Sequence, residues 1–288
     1  MKSVFDSFVQ IFVHGYIHFY MIMKMRFGIQ MRGLGFALRN IRKEYVFHVH
    51  GLKFWFNPLC AAAYCVLPGG YWNEPETHFF LDKILERVTG DVFFVDVGAS
   101  VGEMVIPMAT NKKVRRVTAF EPHIQCALAL EKSAQINNFT NVSIVPCVVS
   151  EKSGVIGFTS SLHNPTAASV SSKSESPRVP CVTVDEIIVP DKNLSTIILI
   201  DVEGQEPSVM RGAAQLIKKV LPLIIFEYNN TSKKYFSLEE ISLILPNSYQ
   251  FYRLRNDGLL DDDLSNSWNC VAVSADTEFA KICKELIM

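Results

Sequence analysis

The stretch Val95–Glu103, VDVGASVGE, decides the reading of this chain. An apolar run, Val92 to Val95, leads into it, and a helix-like segment, Met104 to Ala109, follows it. A buried strand that ends in Asp-x-Gly and passes through small residues into a helix sets the helix N-terminus beside a nucleotide. Gly98 and Gly102 would let backbone approach a ligand that any side chain would hold off. Their spacing is Gly-x-x-x-Gly, which departs from the dinucleotide fingerprint Gly-x-Gly-x-x-Gly.

Working outward, Arg116 to Phe120 reads as the next strand, and Glu121 stands at its carboxyl end, 23 residues after Gly98. An acid there can accept both hydroxyls of a ribose lying across the first two strands. Around these strands the chain alternates: strand Val92–Val97, helix Val101–Thr110, strand Arg116–Glu121, helix Ile124–Asn137 and strand Val142–Val149. The alternation resumes with strand Ile197–Val202, helix Pro207–Lys219, strand Leu223–Tyr228 and helix Leu238–Leu245. Such a pattern predicts an α/β fold with a doubly wound, mostly parallel sheet. Tyr249–Arg255 and Asn269–Val273 are separated only by the acidic, turn-rich loop Asn256–Ser267, so they are expected to pair antiparallel and finish the sheet. Val155–Thr159 reads as a short extra strand, and Ser160–Ser176, with seven serines, as a loop on the active-site edge that would serve as a lid or substrate collar.

Ahead of this domain, Val4 to Met23 is apolar and rich in aromatics, interrupted by Asp6, His14 and His18 and followed by Lys24, Arg26, Arg32, Arg39, Arg42 and Lys43. The uncharged part, Ser7 to Met23, is at the short limit for a bilayer span and has no small-residue cleavage site, so no secretory signal is expected. One reading is a helix packed on the catalytic domain or closing a dimer. The other is an interfacial helix making peripheral membrane contact through residues 4–23, backed by basic residues and suited to a substrate carried on a lipid. Tyr45–Phe56 splits at His50-Gly51 into an expected hairpin, and Thr77–Val88 has helical spacing. The expected division is therefore 1–44 as an N-terminal helical segment, 45–72 as hairpin and linker, and 73–288 as the catalytic domain.

With 288 residues, 49% hydrophobic and 20% charged, the chain can bury a full core. A formal net charge of -1 without a clustered basic face excludes an obvious nucleic-acid partner. The seven cysteines form no Cys-x-x-Cys pair, which points to free thiols in a reducing, cytoplasmic compartment and away from structural zinc. Oligomeric state has no readable code.

Taken in order, Val95–Glu103 (VDVGASVGE), Phe120–His123 (FEPH), Ile200–Glu206 (IDVEGQE) with Val209–Gly212 (VMRG), and Phe226-Glu227 resemble the successive motifs of the FkbM family of S-adenosylmethionine-dependent methyltransferases. The resemblance covers Asn73 to Tyr228 and implies a Rossmann-like class I methyltransferase fold. It also implies S-adenosylmethionine as cofactor and transfer of a methyl group to a hydroxyl of a sugar, polyketide or related metabolite. Carried over by motif, Asp96, Gly98, Ala99 and Gly102 would line the cofactor's amino-acid end and Glu121 would hold the ribose. Ser150 and Glu151 would stand near the adenine, at a place where the family more often shows Ser-Asp.

Methyl transfer needs an in-line nucleophile at near-attack distance, and a hydroxyl nucleophile must also lose its proton to a nearby carboxylate or imidazole. Asp201, Glu203, Glu227 and His123 are the candidates, with His123 alternatively capping the following helix. Glu206 and Pro207 suit a first helical turn. The carboxylates flanking Val202 could bind a divalent cation together with substrate oxygens, but the sequence offers no third ligand, so no metal is expected. Asp201–Gly204 also occupies the place where an amino-methylating enzyme would carry Asn-Pro-Pro-Tyr, which favours oxygen as acceptor, most simply on a sugar or a glycolipid or polysaccharide precursor. The alternatives are an NAD(P)-dependent oxidoreductase, which lacks here its third glycine and a Tyr-x-x-x-Lys pair, and a non-catalytic glycan- or membrane-associated protein that keeps the fold.

Overall fold

The computed structural model describes residues 2–29, 33–161, 164–170, 176–265 and 267–287. Along the chain these form α1 (Lys2–Phe27), α2 (Leu34–Arg39), β1 (Tyr45–Val49), β2 (Leu52–Phe56), α3 (Pro75–Arg87), β3 (Val92–Val97), α4 (Val105–Thr110), β4 (Val114–Phe120), α5 (Ile124–Ile136) and β5 (Val142–Val145). The chain continues through β6 (Val148–Val149), β7 (Gly154–Ser161), β8 (Asn164–Val170), β9 (Arg178–Val182), α6 (Val184–Ile187), β10 (Ser195–Ile200), α7 (Glu206–Gly212), α8 (Ala214–Val220) and β11 (Leu223–Glu227). It closes with α9 (Leu238–Ile244), β12 (Tyr249–Leu254), β13 (Leu260–Asp261), β14 (Asn269–Ser274) and α10 (Glu278–Glu285).

Every residue of β3 is buried, as a continuous apolar run in a central parallel strand requires. The main sheet runs β13-β12-β14-β11-β10-β3-β4-β5. Strands β10, β11, β3, β4 and β5 pair parallel, whereas β14 joins β11, and β12 joins β14, antiparallel. The doubly wound sheet with an antiparallel end is therefore present. Side chains of successive strand residues point to opposite faces. Phe93, Val95 and Val97 pack with Ile198, Ile200, Ile224 and Phe226 beneath α6 to α9. Val92 and Phe94 pack with Ile197, Leu199 and Ile225 beneath α3, α4, α5, α10 and the N-terminal elements.

Three expectations need correction. The strand Val142–Val149 is broken: β5 ends at Val145, and β6 leaves the main sheet to pair with β9. Pro146 lies at the break and has no N–H to continue a ladder. Within Ser160–Ser176, β7 extends to Ser161 and β8 pairs with it antiparallel, so the serine-rich stretch is in large part a hairpin arm; residues 162, 163 and 171–175 lie outside the described residues. Hairpin pairing uses backbone groups, which a serine-rich composition does not reveal. The helix Pro207–Lys219 is two helices, α7 and α8, meeting at Ala213 with φ -107° and ψ 10°.

Smaller differences are that α4 starts at Val105, after turns where a helix from Val101 was expected, and that β13 lies inside the expected acidic loop. Helix α10 was not anticipated, although Phe279, Ile282, Cys283 and Leu286 recur at helical spacing and are buried. Helix α6 carries a T-x-x-E capping box, Thr183 with Glu186.

Helix α1 buries Val13, Ile17 and Met21, four residues apart, in the same cluster as the sheet residues. His14 Nε2 lies 3.1 Å from the Tyr45 hydroxyl and His18 Nδ1 lies 2.9 Å from the Tyr71 hydroxyl. Both imidazoles of the helix thus have partners on the protein. Phe8, Ile11, Phe12, Phe19 and Ile22 are exposed along another face. No described helix is long and apolar enough to cross a membrane.

Candidate active site

The order of the parallel strands reverses between β3 and β10, which opens a crevice at their carboxyl ends. The loop after β3 is pinned there: the Gly98 and Ala99 N–H groups donate to the Phe120 carbonyl at 2.9 and 3.0 Å. Gly98 has φ 96°, and a Cβ on it would lie 1.9 Å from the Asp201 carbonyl oxygen. Gly102 has φ 92°, and its Cβ would lie 2.3 Å from Leu130 Cδ1 on α5. Both glycines therefore serve close approach of the protein to itself, where the sequence suggested ligand approach as the reason.

Glu121 is 6% exposed and follows β4. Its Oε2 accepts the Ser100 N–H at 2.7 Å and its Oε1 the His123 N–H at 2.6 Å. An ionised carboxylate offers about four lone-pair directions, so two remain for a pair of hydroxyl donors. Burial pushes its pKa up to about 7, against the pull of those two N–H groups.

Asp96, 2% exposed near the end of β3, faces an acidic wall that the sequence did not mark. Glu103 Oε1 accepts the Asn73 and Glu74 N–H groups at 2.7 and 3.1 Å and lies 3.4 Å from His78 Nε2. Glu74 Oε2 accepts the Thr77 hydroxyl at 3.1 Å and the Asn269 side-chain amide at 3.0 Å. Burial, then Glu103, pushes Glu74 up to about 7, and burial followed by Glu74, Glu121 and Glu103 holds Asp96 well above the carboxylate range. The charges acting on Asp96, Glu74 and Asp201 are all carboxylates, with no Lys or Arg among them. In the sequence Glu74 only precedes a helix with Pro75 at its first turn, and nothing local reveals that α3 carries it to Asp96.

On the other side of the crevice, the Asp201 N–H donates to the Val97 carbonyl at 2.9 Å. The turn that follows holds Glu203 at φ 55°, a conformation unfavourable for a non-glycine residue, and Gly204 at φ 93°. Glu206 is fully buried, and its Oε1 accepts the Val202 and Gly204 N–H groups at 3.2 and 3.3 Å. It therefore closes the turn as well as opening α7. Glu227, the last residue of β11, accepts the Asn229 side-chain amide at 2.5 Å and the Ser232 hydroxyl at 3.2 Å. Burial, followed by Glu74, Glu227, Glu203 and Glu206, holds Asp201 well above its ordinary range, and burial followed by Glu203 and Glu206 pushes Glu227 up to about 7. Asp201, Glu203 and Glu227 are thus brought together, and carboxyls held above their ordinary range suit proton transfer.

His123 does not join them. It follows β4, which lies on the far side of β3 from β10, so about 10 Å of sheet separates the strand ends. Its side chain makes no capping bond to α5, and its Nδ1 is buried without a partner. His123 belongs with Glu121. Ser150 and Glu151 sit beside the small sheet: the Ser150 N–H donates to the Val182 carbonyl at 3.0 Å, the Ser150 carbonyl backs onto Gly212, and Glu151 is exposed. No described contact ties them to the Gly98 and Glu121 crevice.

A doubly wound sheet with an antiparallel end, a buried acid after the second strand and carboxylates after the fourth and fifth define a Rossmann-like fold with its crevice at the strand ends. Residues 96–254, more than half of the chain, match the Methyltransferase FkbM domain, and the chain belongs to that family. Among solved structures it is similar to the methyltransferase FkbM from Methylobacillus flagellatus KT, with 20% identity and a TM-score of 0.48 over 75% of this chain and 53% of that one. TYW2 from M. jannaschii, in complex with AdoMet, shares 11% identity with a TM-score of 0.43 over 80% of this chain and 84% of that one. An rRNA methylase from Streptococcus thermophilus shares 11% identity with a TM-score of 0.41 over 69% and 95%. The chain spans about half the length of the first of these, and no curated protein matches it.

Proposed function

We propose that this methyltransferase transfers a methyl group from S-adenosylmethionine to a hydroxyl of a sugar or of a glycolipid or polysaccharide precursor. The observation that carries the reading is the group Asp201, Glu203 and Glu227 at the ends of β10 and β11, with Asp-Val-Glu-Gly at 201–204. The residues fit the cofactor. Glu121 has acceptor capacity left for a ribose, and the charges acting on Asp96 and Glu74 are carboxylates, as suits a cationic ammonium and sulfonium, with His78 standing beside Glu103. When bound, the cofactor supplies an electrophilic methyl on a sulfonium sulfur. Glu121 orients the nucleoside, the acidic wall holds the amino-acid end, and a carboxylate beyond β10 takes the proton of the acceptor hydroxyl.

The test is calorimetric binding of S-adenosylmethionine, S-adenosylhomocysteine and NAD, followed by transfer of labelled methyl to a panel of sugars and sugar lipids. Glu121→Ala is expected to weaken both sulfur ligands by about 1.5–3 kcal/mol, roughly 10- to 150-fold. Binding of NAD with neither sulfur ligand bound at millimolar concentration would replace the transferase by an oxidoreductase.

Acidity adds a second check. Free Glu121 holds its proton up to about pH 7, while ribose hydroxyls donate to the charged form, so S-adenosylhomocysteine affinity should rise with pH through about 7 with release of a proton. The same raised pKa means that Glu121's contribution to the stability of the ligand-free protein is present below 4.5 and lost as pH rises through about 7. Calorimetry in buffers of different ionisation enthalpy reads the proton; none released would contradict the ribose role.

The exposed face of α1, with Lys24 and Arg26 in its last turn, supports contact with an anionic membrane surface that would present a lipid-linked acceptor. Co-sedimentation with anionic vesicles, absent with neutral ones and lost in Phe12→Glu, is the expected result, and no sedimentation with either would remove this arm.

A further inference from the structure

We infer that Asp201, Glu206 and Glu227 form a binding site for one hard divalent cation at the carboxyl ends of β10 and β11. One carboxylate oxygen from each of the three lies within 4.8 Å of those of the other two. Two oxygens bound to one Ca²⁺-sized ion at about 2.4 Å can be at most about 4.8 Å apart, so a single cation can span the group. The three come from the end of one strand, the first residue of a helix and the end of the neighbouring strand. The third ligand that the sequence did not show is therefore Glu206, with Glu227 as partner across the strands, and the pair flanking Val202 is divided.

A second observation concerns Glu206 alone. It is fully buried, Oε1 is held by two N–H groups of the turn, and Oε2 has no hydrogen-bond partner. A buried carboxylate oxygen without a partner is costly, and a cation removes that cost. No ion pair among the described residues includes Asp201, Glu206 or Glu227. An all-oxygen, all-carboxylate set selects Mg²⁺, Mn²⁺ or Ca²⁺ over zinc or copper.

Three protein ligands leave other coordination positions for oxygens of water or acceptor. The site would then take an acceptor with two adjacent hydroxyls, binding both oxygens to the cation and fixing which of them faces the methyl donor. Glu203 stands outside the group of three. The role in acceptor choice rests on the proposed transferase function, whereas cation binding does not.

The experiment titrates Mn²⁺ into the full chain, read by loss of the free-ion electron paramagnetic resonance signal, with thermal unfolding measured in parallel. S-adenosylhomocysteine affinity is measured separately, without metal. The expected result is one Mn²⁺ per chain, an unfolding temperature that rises with Mn²⁺, displacement by Mg²⁺ or Ca²⁺, and at least tenfold weaker binding in both Glu227→Gln and Asp201→Asn. Two variants are used so that one that fails to fold without metal leaves the other to decide. Mn²⁺ that stays free at about 1 mM, or binds both variants as it binds the wild type, overturns the site. Failure of S-adenosylhomocysteine to bind while Mn²⁺ binds leaves the cation site standing and removes the transferase reading instead.

Discussion

Gly98→Ala is expected to destabilise the protein by about 3–5 kcal/mol, the range of the most damaging single substitutions. Two costs add. The φ of 96° is one that L side chains rarely adopt, and the new Cβ would stand 1.9 Å from the Asp201 carbonyl oxygen. That obstacle is backbone, so no rotamer change relieves it. Nor can the strands part easily, because Val97 pairs with Ile200 and accepts the Asp201 N–H at 2.9 Å. Urea unfolding should show a lower midpoint at constant slope, and the displaced Asp201 should weaken ligand binding as well. Gly15→Ala is the control: Gly15 lies in α1 with nothing within 4 Å of its added Cβ, and it should gain about 0.5–1 kcal/mol in helix propensity. Equal midpoints for Gly98→Ala and wild type would mean that the two loops do not meet as described.

Glu203→Gln is expected to lower kcat by about 10²–10⁴-fold on whichever acceptor the panel identifies, the usual worth of a positioned general base. Asp201, Glu206 and Glu227 lie within one carboxylate group, whereas Glu203 projects from a turn held at φ 55° and is only partly buried. Strain of that kind persists where the surrounding bonds enforce it, and here Glu206 ties the N–H groups on either side of Glu203. Glu203→Gln keeps shape and loses the ability to take a proton. The KM for S-adenosylmethionine and the Kd for S-adenosylhomocysteine should stay within about threefold, and Glu203→Asp should recover part of kcat. A fall in cofactor affinity with kcat preserved would make Glu203 a binding residue and shift the base to another carboxylate.

Much of the architecture was legible because strands and helices announce themselves by local periodicity. Val92–Val97 reads as a buried strand and is one, residue for residue. Glu121 after β4 and Asp201 after β10 follow from the same reading, since a residue just past a parallel strand must stand at the sheet's carboxyl edge. Composition misled where backbone decides, as in the serine-rich arm that forms a hairpin. The break after Val145 was visible in Pro146, yet where β6 went depended on finding β9, some thirty residues later.

By itself, then, the sequence determined the order and kind of the central elements, the glycine positions and the acids that end three strands, because hydrophobic period and backbone sterics act over a few residues. Only the tertiary structure decided which carboxylates face one another. Glu74 meets Asp96 because α3 docks on the sheet, where Asn269, 195 residues away, holds it. Glu206 and Glu227 join Asp201, and His123 does not, because strand order and helix docking set those distances. Such encounters follow from packing between segments far apart in the chain, which no local pattern records.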